Sequence, residues 1–468
     1  MGTLVSALNI ANEALTADQS ALNITANNVA NQNTAGYTRE VANFSTQDTY
    51  LLGGYEQADG VTAGTPTSIR DRVLEQRVEQ QTQTSAQSST LETTLTSVQG
   101  IFGLTATSTS SDLTALGTAT DSFFSSLTTL AGNPSQSATR QGVLSAASTL
   151  STAFNTANTQ LTQITNGLNS NALTIVGQVN TLLGTVASLN EKIATQDPQA
   201  DAGVLEDQRQ AVIAQLSQYI GLDQIATANN GIELTTSNNG LLVAGNQSYQ
   251  LNASIVNGGV QITAGPNNTD ISTGLTGGSL GGTLEALDTS LPPIQNRLDT
   301  LAYSIATAVN AQNELGFDAN GNAGQALFTI GTTSVGAAGT IVVATTNPNL
   351  VAAAGAGEGS AGNTNASLLA ALGTSNIAGG TTADGYLASS LAQIGEAASS
   401  ANTDSTLQAS TLTQLTTQRN SLSGVSLDEE ASNLTQYQRS YQAASQLFSI
   451  IDTLFASALN FGVVTSVS

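Results

Sequence analysis

The chain has 468 residues, and its 33 acidic residues outnumber its 10 basic residues, which gives a formal net charge of −23. Basic residues are few, and none lies between Arg297 and Arg419, so the composition excludes a basic stripe for nucleic acid and a surface for anionic lipid. Cysteine and histidine are absent, which excludes disulfides and removes the commonest general base and metal ligand.

No segment has the run of about 18 apolar residues that a membrane-spanning helix needs, so we expect no membrane partner. The first basic residue is Arg39, which lies too far along the chain for the charged start of a secretory signal peptide. The sequence therefore predicts a chain that either stays in the cytoplasm or is exported by a route that leaves its N-terminus uncut.

An amphipathic helix is predicted near the N-terminus, within residues 1–45. Its apolar side chains recur in steps of three and four residues with smaller ones between them, and the large ones are Leu4, Leu8, Leu15, Leu22 and Val29. Asp18 and Thr25 interrupt this face and are able to fix the register of a partner helix. Two interpretations remain open, a helix that pairs with another helix and a surface helix packed on a globular core.

Long helices are predicted between residues 46 and 221. The apolar periodicity is longest between Leu144 and Ile193, where it never breaks step. At about 1.5 Å per residue this helix is roughly 75 Å long, which exceeds the diameter of a compact domain. A repeat sustained over this length predicts a rod of coiled helices.

A small antiparallel β domain is predicted at residues 222–282, inserted into the helical rod. Turn sequences are frequent there, among them Asn230-Gly231, Asn239-Gly240 and Asn257-Gly258, and short β-type runs separate them. Helical periodicity returns near Ser290. It continues, after a Gly- and Ala-rich segment, to Gly424, so residues 283–424 are assigned to the rod.

The last helix is predicted from Ser426 to about Leu459, within a C-terminal segment of residues 425–468. Ser426 and Glu429 form a capping-box sequence, and Asp428, Glu429 and Glu430 bring negative charge to the positive end of the helix dipole. Its apolar face has the same spacing as the N-terminal helix, so we predict that the two helices pair. The large members of this face are Leu434, Tyr437, Tyr441, Phe448, Ile451 and Phe455.

The predicted fold is mainly α: an elongated rod of long coiled helices formed by both chain ends, with a small inserted antiparallel β domain. The N-terminal face has only five large apolar side chains, whose burial is too small to offset the entropy lost on ordering the segment. We therefore expect both chain ends to be disordered in the free subunit and to fold when neighbours bury them.

No group of residues fits a catalytic, cofactor or metal site. Asp318 begins a sequence that resembles a calcium loop, but Ala323 and Thr329 stand where such a loop needs glycine and glutamate, which favours a polar turn. Three consecutive acids at 428–430 point in different directions on a helix, which favours a solvated helix cap over a metal site or a catalytic carboxylate pair. We expect a protein that is not an enzyme.

Residues 27–39, NNVANQNTAGYTR, resemble the N-terminal signature of the rod, hook and hook-associated proteins of the bacterial flagellum. The positions that carry this motif are Asn27, Asn28, Asn31, Asn33, Gly36, Tyr37 and Arg39. Residues 423–455, SGVSLDEEASNLTQYQRSYQAASQLFSIIDTLF, are similar to the flagellar hook-associated protein 1 family, and residues 121–141, 205–221 and 316–324 support that resemblance.

The resemblance implies a secreted subunit that the flagellar type III apparatus exports unfolded and that joins hook to filament outside the cell. The implied partners are other copies of the chain in a ring, the hook protein, the second junction protein, the filament cap during assembly, and an export chaperone on the C-terminal helix. Longer family members carry an outer β domain after Phe328, which we expect to be absent from this shorter chain.

Three alternatives are weighed against this function. The first is another flagellar axial protein, such as the hook protein or the second junction protein. The second is a secreted coiled-coil adhesin, which would not depend on the flagellar export apparatus. The third is a carboxylate-based hydrolase, which would need two acids converging in a cleft.

Overall fold

The computed structural model of the protein describes residues 2–34, 36–47, 49–52, 55–58, 60–103, 115–196, 203–228 and 230–463. Helix α1 (Gly2–Ala30) comes first, and a long antiparallel hairpin of three nested strand pairs follows it. The pairs are β1 (Glu40–Val41) with β6 (Thr67–Ser68), β2 (Phe44–Thr46) with β5 (Val61–Ala63), and β3 (Thr49–Leu52) with β4 (Tyr55–Ala58).

Four helices follow the hairpin: α2 (Arg72–Ile101), α3 (Ala115–Gly132), α4 (Ser137–Ala194) and α5 (Gly203–Tyr219). Asp71 caps α2, because its carboxylate accepts hydrogen bonds from the amides of Val73 and Leu74 at 3.1 and 3.0 Å. Helix α4 has 58 residues, which corresponds to a length of about 87 Å. The unbroken helix predicted between Leu144 and Ile193 is confirmed.

Two small antiparallel sheets come next. The first contains β7 (Asp223–Ala226), β8 (Ile232–Thr235), β9 (Leu241–Ala244) and β10 (Gln247–Ser248), and the second contains β11 (Asn252–Val256), β12 (Gly259–Ala264) and β13 (Thr269–Asp270). Asn230, Asn239 and Asn257 turn the chain with φ values of 56°, 63° and 51°, a left-handed conformation that asparagine tolerates better than most residues. The frequent asparagine turns are why this segment forms hairpins instead of helices.

Helices return with α6 (Gly278–Glu285), which a π-helical segment (Ala286–Ser290) joins to α7 (Leu291–Leu315). The sequence pattern placed the start of this helix at Ser290, but the helix begins earlier. The last residues of the segment 222–282, which was predicted as a β domain, are therefore a turn and a helix. The prolines at 292 and 293 fit the first turn of α7 because the π-helical hydrogen bonding ends there.

The remaining elements are β14 (Phe328–Thr329), the short helix α8 (Ala337–Thr340), β15 (Val342–Val343), α9 (Thr364–Ala371), α10 (Ala383–Ser423) and α11 (Leu427–Val463). Strands β14 and β15 pair with each other. Helix α10 packs along α2, and α11 packs along α1. We call α1 and α11 the terminal pair, and we call α2–α10 with the two sheets and the β14–β15 pair the body. The fold is mainly α with small antiparallel sheets, as the sequence predicts.

Two hydrophobic cores of the body lie along α4. The first combines Val143, Leu150 and Phe154 of α4 with α3, α7, α9 and the first half of α10. The second combines Val179 and Leu183 of α4 with α5, α6 and the two sheets. Because one helix contributes side chains to both cores, α4 fixes their relative positions.

Among the described residues, α4 alone has the length and composition of a helix able to cross a membrane. The large apolar side chains of α4 are mostly those that fill the two cores, and its outward face carries mainly Ser, Thr, Asn and Gln. The core helix of a water-exposed protein has these same features, so the apolar composition of α4 is explained by its packing.

Candidate assembly site

The terminal pair is antiparallel, because the C-terminal end of α1 and the N-terminal end of α11 meet. Along α11, the predicted face residues Leu434, Tyr437, Phe448 and Phe455 are half-buried, and Ile451 is buried with 6% of its surface exposed. Tyr441 lies on the edge of this face and is 38% exposed. The structure thus turns one apolar side of α11 inward, with α1 as its main neighbour.

The α1 side of the pair differs from the predicted leucine face. Leu4, Leu8, Leu15 and Leu22 are only half-buried, and Val29 is 39% exposed. The buried residues are mostly small or polar: Ala11, Ala17, Asp18, Ala21, Ile24, Thr25 and Asn28. Small side chains let neighbouring backbones come closer than leucines do, so they occupy the line of closest contact and the leucines flank it.

The β hairpin covers part of α1 as well. Gly60 lies directly against the helix, since a Cβ atom built there would stand 3.5 Å from the Ile10 Cα atom and in steric conflict with the Glu13 carboxylate. Phe44 of β2 packs edge-to-face on Tyr437 of α11, with the ring centroids 6.2 Å apart. The hairpin therefore contacts both helices of the terminal pair.

A line of apolar side chains on α11 is left exposed beside the face that meets α1. Leu447, Ile450 and Leu454 are 48%, 58% and 52% exposed. We call these three residues the exposed stripe. A soluble helix that shows large aliphatic groups at this spacing has a second apolar side available for a partner.

The buried Asn28 side chain organises the loop that follows α1. Its Oδ1 accepts hydrogen bonds from the Tyr37 hydroxyl at 2.8 Å and the Glu40 amide at 3.0 Å. Its Nδ2 donates to the Glu40 carbonyl at 2.8 Å and to Glu430 Oε2 at 3.3 Å. Because all four bonds need both an acceptor and a donor on one side chain, asparagine suits this position and aspartate does not.

The other motif residues build the turn itself. Asn31 Nδ2 donates to the carbonyl and the side-chain oxygen of Asn27, at 3.0 and 2.8 Å. Asn33 is exposed in this turn. Gly36 has a φ of 83°, which favours glycine, and its carbonyl accepts a hydrogen bond from Arg419 at 2.9 Å.

Arg39 connects the two chain ends. Its Nε donates to Glu430 Oε1 at 2.8 Å and its Nη2 donates to Glu429 Oε1 at 2.7 Å. The Arg39 amide also donates to the Ser423 carbonyl, just before α11, at 3.0 Å. Arg39 lies 391 residues before Glu430, and this ion-pair group fixes the start of α11 against the end of α1.

The predicted solvated cap is wrong for Glu430, which is 1% exposed. Arg39 and Asn28 compensate its charge and make burial possible, and neither partner is adjacent in sequence. Glu429 directs its carboxylate to Arg39 instead of back to Ser426, where the capping-box pattern placed it. Ser426 and Asp428 are exposed at the helix start, and the Ser426 carbonyl accepts the Glu430 amide at 2.9 Å.

A second layer of ion pairs ties the motif loop to the body. The Thr38 amide donates to Asp207 Oδ2 at 2.9 Å, and Asp207 also forms an ion pair with Arg70. Arg70 reaches Glu206 at 3.3 Å. We call Asn28, Tyr37, Arg39, Glu430 and this second layer, with Glu75 and Arg419, the joint. The second layer was not predicted from the sequence. The available signal for it was that basic residues are scarce in so acidic a chain.

Burial raises pKa values in the joint. The pKa of Tyr37 is raised by burial and then by nearby carboxylates, and burial outweighs Arg70 and Arg419 in raising the pKa of Glu75. Glu79 is 5% exposed, and burial followed by repulsion from Glu75 raises its pKa to about 8. Gln210 and Gln224 donate to its two carboxylate oxygens.

A cavity of about 460 Å³ beside the joint is lined by Tyr37, Glu75, Glu79 and Arg419 among others. Two side-chain amides hold Glu79, and two arginines lie beside Glu75. Both carboxyl groups therefore serve to hold chain segments against each other. Within the described part of the chain, no three metal-binding side chains cluster. Asp318 accepts the amides of Asn320 and Asn322, each at 2.8 Å, as in a polar turn.

Three flagellar family models match this chain. The model described as flagella basal body rod protein matches residues 8–38, and the one described as flagellar basal body rod FlgEFG protein C-terminal matches residues 417–461. Between them, the model described as flagellar hook-associated protein FlgK helical domain matches residues 104–328. The two outer matches contain most of the terminal pair and, of the joint, Asn28, Tyr37, Arg419 and Glu430.

Curated relatives carry the name flagellar hook-associated protein 1. The protein of Escherichia coli strain K12 is 31% identical over 347 residues, which is 70% of this chain and 61% of the relative. The Salmonella typhimurium protein is 31% identical over 342 residues, 70% of this chain and 60% of the relative. The chain thus spans about three fifths of the length of these relatives. The Bacillus subtilis protein is 28% identical over 506 residues, and 97% of each chain is covered.

The solved structure of the flagellar hook junction protein FlgK from Burkholderia pseudomallei shares the fold, with a TM-score of 0.68 and 21% identity. The alignment covers 74% of this chain and all of that one. Rod-protein models match both ends of the chain, and the FlgK model matches the helices between them. The Bacillus subtilis relative aligns with nearly the whole length of this chain. On this evidence the chain is similar to the flagellar hook-associated protein 1 family along most of its length.

Proposed function

We propose that this chain is a structural subunit of the bacterial flagellum that helps to form the junction between hook and filament. The joint is the observation that carries the proposal. It brings the two chain ends together through Arg39 and the buried Glu430, and so it sets the direction in which the terminal pair leaves the body. A fixed direction is what a subunit needs if many copies are to stack in one tube.

The exposed stripe supplies the driving force for assembly. Leu447, Ile450 and Leu454 are each about half exposed in a single copy and become buried when terminal pairs of neighbouring copies pack together. The half-buried leucines of α1 gain burial in the same step. Terminal helices that pack in this way form the inner wall of a ring of identical subunits.

The proposed partners are other copies of the chain in this ring, the hook protein on one side and the second junction protein on the other. During assembly the filament cap contacts the ring, and an export chaperone covers the C-terminal helix before export. The protein acts outside the cell after export through the flagellar type III apparatus. Its role is structural and requires neither catalysis nor a cofactor.

Another axial protein is the nearest alternative, because the N-terminal motif is common to the rod, hook and hook-associated proteins. The helical-domain similarity at residues 104–328 favours the junction subunit over the hook protein. A secreted adhesin would have no need of rod-protein similarity at both ends.

Deletion of the gene tests the proposal. Hooks are expected to form normally, no filament is expected on them, and filament subunits are expected in the culture medium. Electron microscopy of isolated hooks and immunoblots of the medium give the two readouts, and the restored gene serves as control. Complete filaments in the deletion strain, or an absence of hooks, would contradict the proposal.

A further inference from the structure

A long part of this acidic chain has almost no charge. Residues 122–190 contain no aspartate or glutamate, and Arg140 is the one charged residue among them. Arg140 is 1% exposed, so it adds no charge to the surface. Most of the outward face of α4 therefore carries hydroxyls, amides and glycines, on a molecule whose net charge is −23.

A second uncharged segment lies beside α4. Residues 319–357 contain no acidic and no basic residue. The part of this segment at residues 340–346 and the part of α4 at residues 148–163 form the two walls of a groove of about 700 Å³. No charged side chain lines this groove, which we call the uncharged groove. Two charge-free segments that are distant in sequence thus build one surface.

Part of the groove wall already has its hydrogen-bond donors used. The hydroxyls of Thr152 and Thr159 donate to the backbone carbonyls of Ser148 and Asn155, each at 2.8 Å. These two donors therefore lose no partner when the groove is covered. Val342 at the rim is 52% exposed and adds an apolar contact.

The charge pattern identifies the occupant. Two copies of a chain with a net charge of −23 repel each other wherever their carboxylates face, so they approach best through faces without carboxylates. A basic partner would instead be attracted to the acidic faces. Interface centres are also depleted of charged residues in general.

We propose, resting on the ring-forming function above, that the uncharged groove is a contact between adjacent copies of this chain. An uncharged face of the next copy fills it. This contact is in the body, so it adds to the contacts of the terminal helices and holds neighbouring bodies in register around the ring.

Charge insertion tests the contact. The double variant Thr152→Glu, Thr159→Glu puts carboxylates on the groove, and Thr406→Glu, Thr413→Glu on α10 is the matched control. All four threonines are exposed, both pairs are seven residues apart, and each hydroxyl bonds the carbonyl four residues earlier. The groove variant is expected to enter isolated hook–filament structures about tenfold less than wild type, because carboxylates buried against an uncharged face lose their hydration and gain no partner. The control is expected to enter normally. Equal incorporation of both variants would overturn the contact.

A cross-linking experiment identifies the neighbour directly. The chain has no cysteine, so Thr152→Cys accepts a single benzophenone maleimide, and Thr406→Cys is the control position. Irradiation of assembled flagella is expected to give a product of twice the chain mass that contains two copies of this protein, from the Thr152 position only. A product with another protein, or no product, overturns the proposal while wild-type chain is present at the junction. Absence of the wild-type chain from isolated flagella would instead refute the proposed function, and the contact with it.

Discussion

At the scale of single residues, the joint depends on one buried ion pair. Arg39 reaches two carboxylates, and their environments differ: Glu430 is 1% exposed as a side chain, whereas Glu429 is 54% exposed. Loss of one member of a buried pair leaves an uncompensated charge and costs about 3–5 kcal/mol, while an exposed pair is worth about 0–1 kcal/mol. The two neighbouring glutamates therefore form a natural comparison.

Glu430→Ala is expected to reduce incorporation into hook–filament structures at least tenfold, an estimate that takes about 1.4 kcal/mol as one factor of ten. The reason is that the terminal pair loses its fixed direction when Arg39 and Asn28 lose their common partner. Glu429→Ala is expected to remain within about twofold of wild type. Quantitative immunoblots of isolated flagella measure both. Similar losses for the two variants would show that burial of Glu430 has no special importance.

A second residue-scale prediction concerns Glu79, a buried carboxyl on α2 whose pKa is raised to about 8. It stays protonated in the folded protein at neutral pH but ionises in the unfolded chain, so folding takes up a proton. The stabilisation from this group is complete below the unfolded-state pKa of 4.5 and is lost as pH rises towards about 8. The loss amounts to roughly 3–5 kcal/mol.

Glu79→Gln keeps the shape and cannot ionise, so its free energy of unfolding is expected to depend less on pH. The variant is expected to be more stable than wild type at pH 8.5 and about equal to it at pH 4. Urea denaturation followed by circular dichroism at both pH values provides the measurement. Glu285→Gln is a matched control, because Glu285 also accepts from a glutamine, Gln87, at 2.7 Å on α2. A wild type whose pH dependence equals that of Glu79→Gln would contradict the buried carboxyl's role.

At the scale of elements, a glycine permits α6 to lie directly on α2. A Cβ atom built on Gly282 would lie 2.5 Å from the Gln87 carbonyl oxygen and 2.9 Å from the Thr90 Cβ atom. Gly282→Ala is expected to destabilise the protein by about 1–3 kcal/mol, because backbone atoms must move. Gly395→Ala in α10 meets nothing within 4 Å and is expected to stabilise by about 0.5–1 kcal/mol. Urea denaturation is expected to show a lower free energy of unfolding for Gly282→Ala and a higher one for Gly395→Ala than for wild type.

The terminal helices yield a prediction about the free subunit. Much of their apolar surface is only partly buried in one copy, so packing alone does not offset the entropy of ordering two long helices. The amides of Leu8 and Phe448 are expected to exchange with solvent within seconds in the monomer and to be protected in assembled flagella. Val179 in the second core is the protected reference. Strong protection of Leu8 and Phe448 in the monomer would contradict the prediction that the terminal helices become ordered only on assembly.

Elements were predictable from the sequence where local rules determine them. The unbroken apolar spacing of α4 reports a helix because every turn adds a side chain to the same face. The turns at Asn239 and Asn257 were recognisable because asparagine followed by glycine tolerates the left-handed conformation that those turns need.

The joint was not predictable in this way. Arg39, Asp207, Arg419 and Glu430 come from four separate segments, and only the folded chain brings them together. For this reason the motif residues were recognised as a signature, whereas the burial of Glu430 was missed. The buried alanines of α1 were not predicted to form its contact face, for a related reason. Large apolar residues are the ones that a periodic pattern makes visible, whereas a close helix contact favours small residues.

At the scale of the whole molecule, charge and burial divide the chain into regions with different tasks. Neither core contains a residue of α1 or α11, so we expect the body to stay folded without help from the terminal pair. In the proposed function, the joint and the exposed stripe direct assembly, and the uncharged groove is the proposed contact between neighbouring bodies. We therefore expect one polypeptide to combine a stable body with chain ends whose order depends on the polymer.

The passage of α4 through both cores also has a mechanical consequence. A rotating flagellum loads its subunits in torsion, and an uninterrupted helix transmits such a load from one core to the other through a continuous ladder of backbone hydrogen bonds. Gly167 is exposed and lies between Leu161 of the first core and Ala172 of the second. Gly167→Pro removes one rung of the ladder and is expected to split a single calorimetric melting peak into two, whereas Gly167→Ala should retain one. The filaments of the proline strain are expected to break at the junction under viscous drag.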